Sequence, residues 1–166
     1  MSAAHAPRRG PLRAAGLLIG AGMGGFVDGI VFHQILQWHN MLSAKIPPND
    51  LVSAKANMTW DGLFHAGVWM LTVAGLWMLW RAGGRRDVPW SGRTFLGALL
   101  IGWGGFNLVE GIIDHHLLGL HHVFEYADRH APYDLAFLAA GAVLVGLGWA
   151  LVRAGARDVR VVARRL

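Results

Sequence analysis

The chain has no cysteine among its 166 residues. That excludes disulfide staples and thiolate metal sites together. A bound transition metal would have to be held by histidine, carboxylate or methionine side chains. Charge is scarce too: Asp, Glu, Lys and Arg make up only 15% of the chain, against about 25% in an ordinary soluble domain. Segments 62–80 and 135–152 hold no formally charged residue at all. A helix of a soluble bundle keeps a polar stripe toward water, and these segments have none. A signal-peptide reading of the N-terminus also fails. Its apolar run is too long, carries Asp28 and is followed by no small-residue cleavage site, so a retained helix is expected.

Apolar residues make up 54% of the chain, with eight Trp and 23 Gly. Four stretches read as membrane helices, over about 13–37, 61–81, 94–118 and 134–153. Each is near the ~20 residues needed to cross a ~30 Å hydrocarbon core. The expected fold is all-α, a polytopic membrane four-helix bundle forming a single transmembrane domain over 1–166. The net charge of +5 does not indicate nucleic acid, because the basic residues sort by side. Arg8, Arg9, Arg13, Arg81, Arg85, Arg86, Arg93, Arg153, Arg157, Arg160, Arg164 and Arg165 fall at one end of the helices. Only Lys45, Lys55 and Arg129 fall at the other. The positive-inside rule then puts both termini in the cytoplasm of a multi-pass inner-membrane protein. Segments 39–59 and 119–132 are expected as outer loops. Trp38, Trp60 and Trp90 read as interfacial anchors.

One pattern occurs twice. Asp28-Gly29-Ile30 is followed by His33, Leu36 and His39, and Glu110-Gly111-Ile112 by His115, Leu118 and His121, each 82 residues further on. Trp60-Asp61-x-x-Phe64 is echoed by Tyr133-Asp134-x-x-Phe137. Two parallel two-helix repeats, about 13–81 and 93–153, are therefore expected, related by an axis along the membrane normal. Glycines at 20, 22, 24 and 25 and at 102, 104 and 105 suit close helix contact.

Ionisable side chains are costly inside a bilayer, so acids and histidines placed there twice point to a site. Depth reckoned at 1.5 Å per residue puts His33, His65, Asp114 and His115 in one layer, with Asp28 and Glu110 further in. The expected metal ligands are His33, His65, His115, Asp114 and Glu110. Asp28 would orient a histidine. On an ideal helix Asp28 and His33 diverge by about 140°, so one of them belongs outside the ligand set unless the helix bends. Glu110 and His121 would lie ~16 Å apart on a straight helix, unless Gly119 ends it and the loop folds back. His39, Asp61, His116, His121, His122 and Asp134 are accordingly assigned to supporting or entry positions. Asp61 and Asp134 would also cap their helices. Copper, zinc and iron all suit such donors, with Met41 and Met58 near the mouth as candidates for Cu(I). The run from His115-His116 to His121-His122 is similar to one histidine box of the membrane di-iron desaturases. The Glu-x-x-His pairs of ferritin-like bundles are absent.

The segments 24–34, 61–65, 104–107 and 114–116 together resemble a bacterial membrane family known as domain of unknown function 2243. The similarity covers about residues 14–153. It implies a small polytopic protein of the bacterial inner membrane, linked to respiratory-oxidase assembly proteins. The functional expectation is metal handling or respiratory-oxidase maturation in the lipid bilayer, with a homo-oligomer compatible with the sequence. The rival readings are a metal-dependent redox enzyme, a haem b protein with two axial histidines, and a proton or ion pathway.

Overall fold

The computed structural model describes residues 8–163, and side chains as far as residue 155. Arg164 and Arg165, and the side chains of Arg157 and Arg160, lie outside the described residues. Helix α1 (Gly10–Val27) passes without a break into a π-helical segment, Asp28–Ile35. Helix α2 covers Leu51–Gly83. Helix α3 (Gly92–Glu110) likewise passes into a π-helical segment, Gly111–Leu117, and α4 covers Ala131–Ala163. All four are long and apolar enough to cross a membrane.

Helix α2 begins well before residue 61. The turn at Pro47-Pro48-Asn49-Asp50 leads straight into it, and Asp50 caps it by accepting from the amides of Val52 and Ser53. Ser53 closes a capping box in return, with its hydroxyl 3.1 Å from the Asp50 amide. Asp61 is therefore not a cap of α2. It lies three turns inside the helix and is 1% exposed.

Helices α1 and α3 form the central pair. Helix α2 packs on α1 and α4 on α3, and α2 and α4 do not meet among the described residues. Half of the apolar window of α1 is buried, but only 11% of that of α2 and 17% of that of α4. The flanking helices present broad apolar surfaces, as lipid-facing helices do. Glycine makes the central contact: a Cβ on Gly20 would run into the Leu99 carbonyl, and one on Gly102 into that of Leu17. At the basic end, Arg81 lies over the Trp77 ring and Arg153 over that of Trp149, an interfacial pairing of cation and aromatic.

At the opposite end the chain turns back twice in the same way. Gln37 (φ 51°) and Gly119 (φ 55°) are left-handed. The amides of Leu36 and Leu118 bond to the carbonyls of Val31 and Ile113, five residues back. The loops then cross over each other. The Ala44 amide bonds to the Leu120 carbonyl and that of Glu125 to the Trp38 carbonyl, while Trp38 stacks on Phe124 with centroids 5.0 Å apart.

Candidate metal centre

The π-helical segments set the geometry. In a π-helix the backbone bonds run from i to i+5, so a residue stands over the one five before it. His33 therefore stands over Asp28, with Nε2 3.1 Å from Asp28 Oδ2. His115 stands over Glu110, with Nε2 3.2 Å from Oε1. The 140° divergence of an ideal α-helix does not arise. The left-handed residues at 37 and 119 then return the loops toward the axis. His39 is 1% exposed and His121 fully buried. Their rings are parallel within 6° with centroids 4.5 Å apart. His121 Nε2 lies 3.0 Å from Glu110 Oε1, and His39 Nε2 lies 3.8 Å from Asp28 Oδ1.

Three of the four outward nitrogens are tied down, and His115 Nδ1 is buried without a hydrogen bond. Nδ1 of His33 is 2.9 Å from Asp61 Oδ1. Nδ1 of His39 is 2.8 Å from the Val123 carbonyl, and that of His121 is 3.1 Å from the Met41 carbonyl. His115 Nδ1 faces Asp134 Oδ1 at 3.6 Å. Carbonyl and carboxylate oxygens only accept, so His33, His39 and His121 donate from Nδ1. His121 Nε2 also hydrogen-bonds Glu110 Oε1, with a proton held between them. The Nε2 atoms of neutral His33 and His39 are left as acceptors that point at the carboxylate of Asp28, which is an acceptor too. The result is a buried clash of lone pairs. His33 Nε2, His39 Nε2, both Asp28 oxygens and Glu110 Oε2 make no hydrogen bond; the 3.1 Å approach of His33 to Asp28 is badly aligned. Unpaired buried polar atoms are rare, and a set of them aimed at one another calls for protons or a cation between them.

Two groups of donors can each close on an ion. His33, His39 and His121 form one, and Glu110, His115 and His121 the other, with ligand atoms within 4.8 Å of one another in each. Burial pushes the His39 imidazole below its ordinary pKa. Burial opposes the charge on His121 as well, but the hydrogen bond to Glu110 and its charge outweigh it and push His121 up. Two stacked imidazoles in contact do not readily both carry a proton.

Asp61 and Asp134 act as braces. Asp61 holds His33, the Met41 amide at 2.8 Å and the Asn40 side chain at 2.7 Å. Asp134 holds the Val123 amide at 2.9 Å and His122 Nδ1 at 2.7 Å. Each acid thus grips the loop that delivers a central histidine.

His33, His115 and Glu110 meet in this cluster. His39 and His121, assigned by spacing to the periphery, lie at its centre. His65 does not reach it: its Nδ1 bonds to the Asp61 carbonyl in its own helix at 2.8 Å, and its Nε2 edge packs on Gly29. Asp114 is half-buried, and among the described residues its side chain makes no hydrogen bond or ion pair, because the π turn puts His115 over Glu110 instead. His116 bonds to the Gly111 carbonyl at 2.8 Å and is exposed. His122 and His130 sit at the mouth with ring centroids 4.3 Å apart. The Met41 amide bonds to Asp61 and its carbonyl accepts from His121, and Met58 is 67% exposed.

Residues 15–155 match the profile of a family described as a predicted membrane protein, domain of unknown function 2243. The chain belongs to that family. No curated protein and no solved structure matches it. Domain 2243 supplies the membrane setting, and the chemistry of the site rests on the geometry above.

Proposed function

We propose that this protein is a small bacterial inner-membrane protein that binds a transition metal in the outer half of its bundle, for metal handling or respiratory-oxidase maturation. One observation carries the reading. Four buried imidazoles and two buried carboxylates converge, with the outward nitrogens of His33, His39 and His121 held by oxygen acceptors and the inward nitrogens of His33 and His39 unmatched against Asp28. Outer acceptors of this kind orient metal-bound histidines and raise their basicity. Imidazole and carboxylate donors suit iron, zinc and copper.

The two halves are parallel repeats in this reading. Matched contacts support it: His33–Asp28 with His115–Glu110, His39 to Val123 with His121 to Met41, and Gly20 on Leu99 with Gly102 on Leu17. Haem b is less well supported, since the rings of His33, His39, His115 and His121 lie as close as 4.5–6.3 Å to one another, with no gap for a macrocycle. A proton pathway would need titratable groups across the inner half. Within Gly10–Val27 and Gly92–Glu110 the only ones inward of the cluster are Arg13 and Arg93, near the basic end.

The test is metal binding by untagged variants in a chelator competition. His39→Ala and His121→Ala should each lose most of the bound metal, while His65→Ala keeps it. Full retention in both of the first two, with insertion intact, would sink the metal reading.

A further inference from the structure

Asp61 and Asp134 brace the two outer loops in the same way. Oδ1 of Asp61 accepts from the Met41 amide at 2.8 Å, and Oδ1 of Asp134 from the Val123 amide at 2.9 Å, at positions 82 residues apart. The second oxygen of each acid takes one side chain from the same loop. Asn40 donates to Asp61 Oδ2 at 2.7 Å, and His122, again 82 residues on, meets Asp134 Oδ2 through Nδ1 at 2.7 Å. The Asn40 amide does the bracing with a single N–H. An imidazole at 122 does the same and brings a second nitrogen, Nε2, that the brace does not use. The His122 side chain is 28% exposed, so this surplus nitrogen belongs to the mouth of the bundle and not to its packed interior.

A second histidine stands against that ring. His130 Nε2 lies 3.2 Å from the Glu125 carbonyl, which can only accept, so the lone pair of His130 is left on Nδ1. The two ring centroids are 4.3 Å apart. Two imidazoles bound side by side at right angles to one ion, each at about 2 Å, place their ring centres about 4.5 Å apart. An oxygen acceptor backs each ring, the Asp134 carboxylate for His122 and the Glu125 carbonyl for His130, as acceptors back metal-bound histidines. Among the described residues no further His, Asp or Glu joins the pair to make a group of three, which leaves the other coordination positions to water. We propose that His122 and His130 form a second metal site at the mouth, which takes up a divalent transition-metal ion and loads it into the buried centre. Two protein ligands hold an ion loosely, so it exchanges and a chelator strips it before the buried one. The site is also wired to the centre. His122 follows His121 in the chain, and Asp134 holds His122 with Oδ2 while its Oδ1 faces His115 Nδ1 at 3.6 Å. The loading role rests on the metal-centre reading; the outer site itself does not.

The test uses untagged full-length protein in phospholipid nanodiscs, stripped by chelator and then given Cu(II). Electron paramagnetic resonance counts the bound ions and the imidazoles on each. The His39→Ala, His121→Ala double variant, with its buried centre disabled, should still bind one Cu(II) through two imidazoles. Adding His122→Asn, which keeps the brace as Asn40 does, should abolish that ion. So should adding His130→Phe, which keeps a ring in place. Adding His116→Asn, at an exposed histidine outside the pair, should leave it. A double variant that binds no Cu(II), or an ion that survives both substitutions in the pair, would overturn the outer site whatever the buried centre holds. Loss with His116→Asn as well would mark adventitious surface binding and overturn it too. In the otherwise wild-type chain, His122→Asn should slow the filling of the buried centre in stopped-flow mixing without changing its final occupancy. Equal filling rates would overturn the loading role. A wild-type chain whose one ion is lost with His122→Asn would contradict the buried centre while upholding the outer site.

Discussion

Asp61 does the most for the site among residues that do not point into it. It accepts from His33, Asn40 and the Met41 amide at once, coupling His33 to the loop that carries His39. Asp61→Asn should weaken metal binding about 10–100-fold, the usual effect of losing an outer acceptor, measured by chelator competition on the inserted protein. Depth alone makes His65 a candidate ligand, yet its matching position in the second half is Leu138. That break in the repeat was legible, and it separates a packing histidine from the recurring ones. His39 and His121 recur at the same offset as His33 and His115, so pattern alone would have ranked them higher than helix geometry did. At the turns, Gly119→Ala should cost about 1 kcal/mol, since a left-handed backbone is disfavoured once a Cβ is present. Gln37→Gly should recover a similar amount, both read from thermal unfolding in detergent.

At the scale of elements, the number of helices and their membrane character were legible from uncharged runs and from the sorting of arginine. The π-helical segments were not. Their five-residue hydrogen bonds leave no distinct apolar period over only eight residues, and the Asp28–His33 spacing looked unproductive on an α-helix. Two acids each followed five residues later by histidine, in matching registers, are the signature left in the sequence. Trp60-Asp61 looks like a helix opening and hides the early start of α2, although Asp50 just after Pro47-Pro48 is a favoured N-cap residue. The Asp50 carboxyl lies below its ordinary pKa because it accepts from the Ser53 and Val52 amides. A lowered acid stabilises the helix start above its ordinary value of about 3.9 and loses that contribution as the pH falls through its lowered one. Amide exchange at Val52 and Ser53 should therefore accelerate relative to mid-helix amides in acid, and at neutral pH in Asp50→Ala.

At the scale of the whole molecule, four spans would put both ends of the described chain on one side, and we propose from the sorting of the basic residues that this side is cytoplasmic. Ala44→Cys and Arg86→Cys, at exposed positions in opposite end loops, should differ toward an impermeant thiol reagent applied from outside the inner membrane. Position 44 should label and position 86 should not; the reverse would move the centre to the cytoplasmic face. The fold collects its charge cost at one end, where two reversed loops and two π turns bring histidines and acids from both halves to one point. The decisive measurement is the elemental composition of untagged protein purified from cells grown with iron, zinc and copper supplied together. The account requires at least one transition-metal ion per chain, lost in the His39→Ala, His121→Ala double variant. Metal-free protein that stays metal-free after incubation with each ion would contradict it.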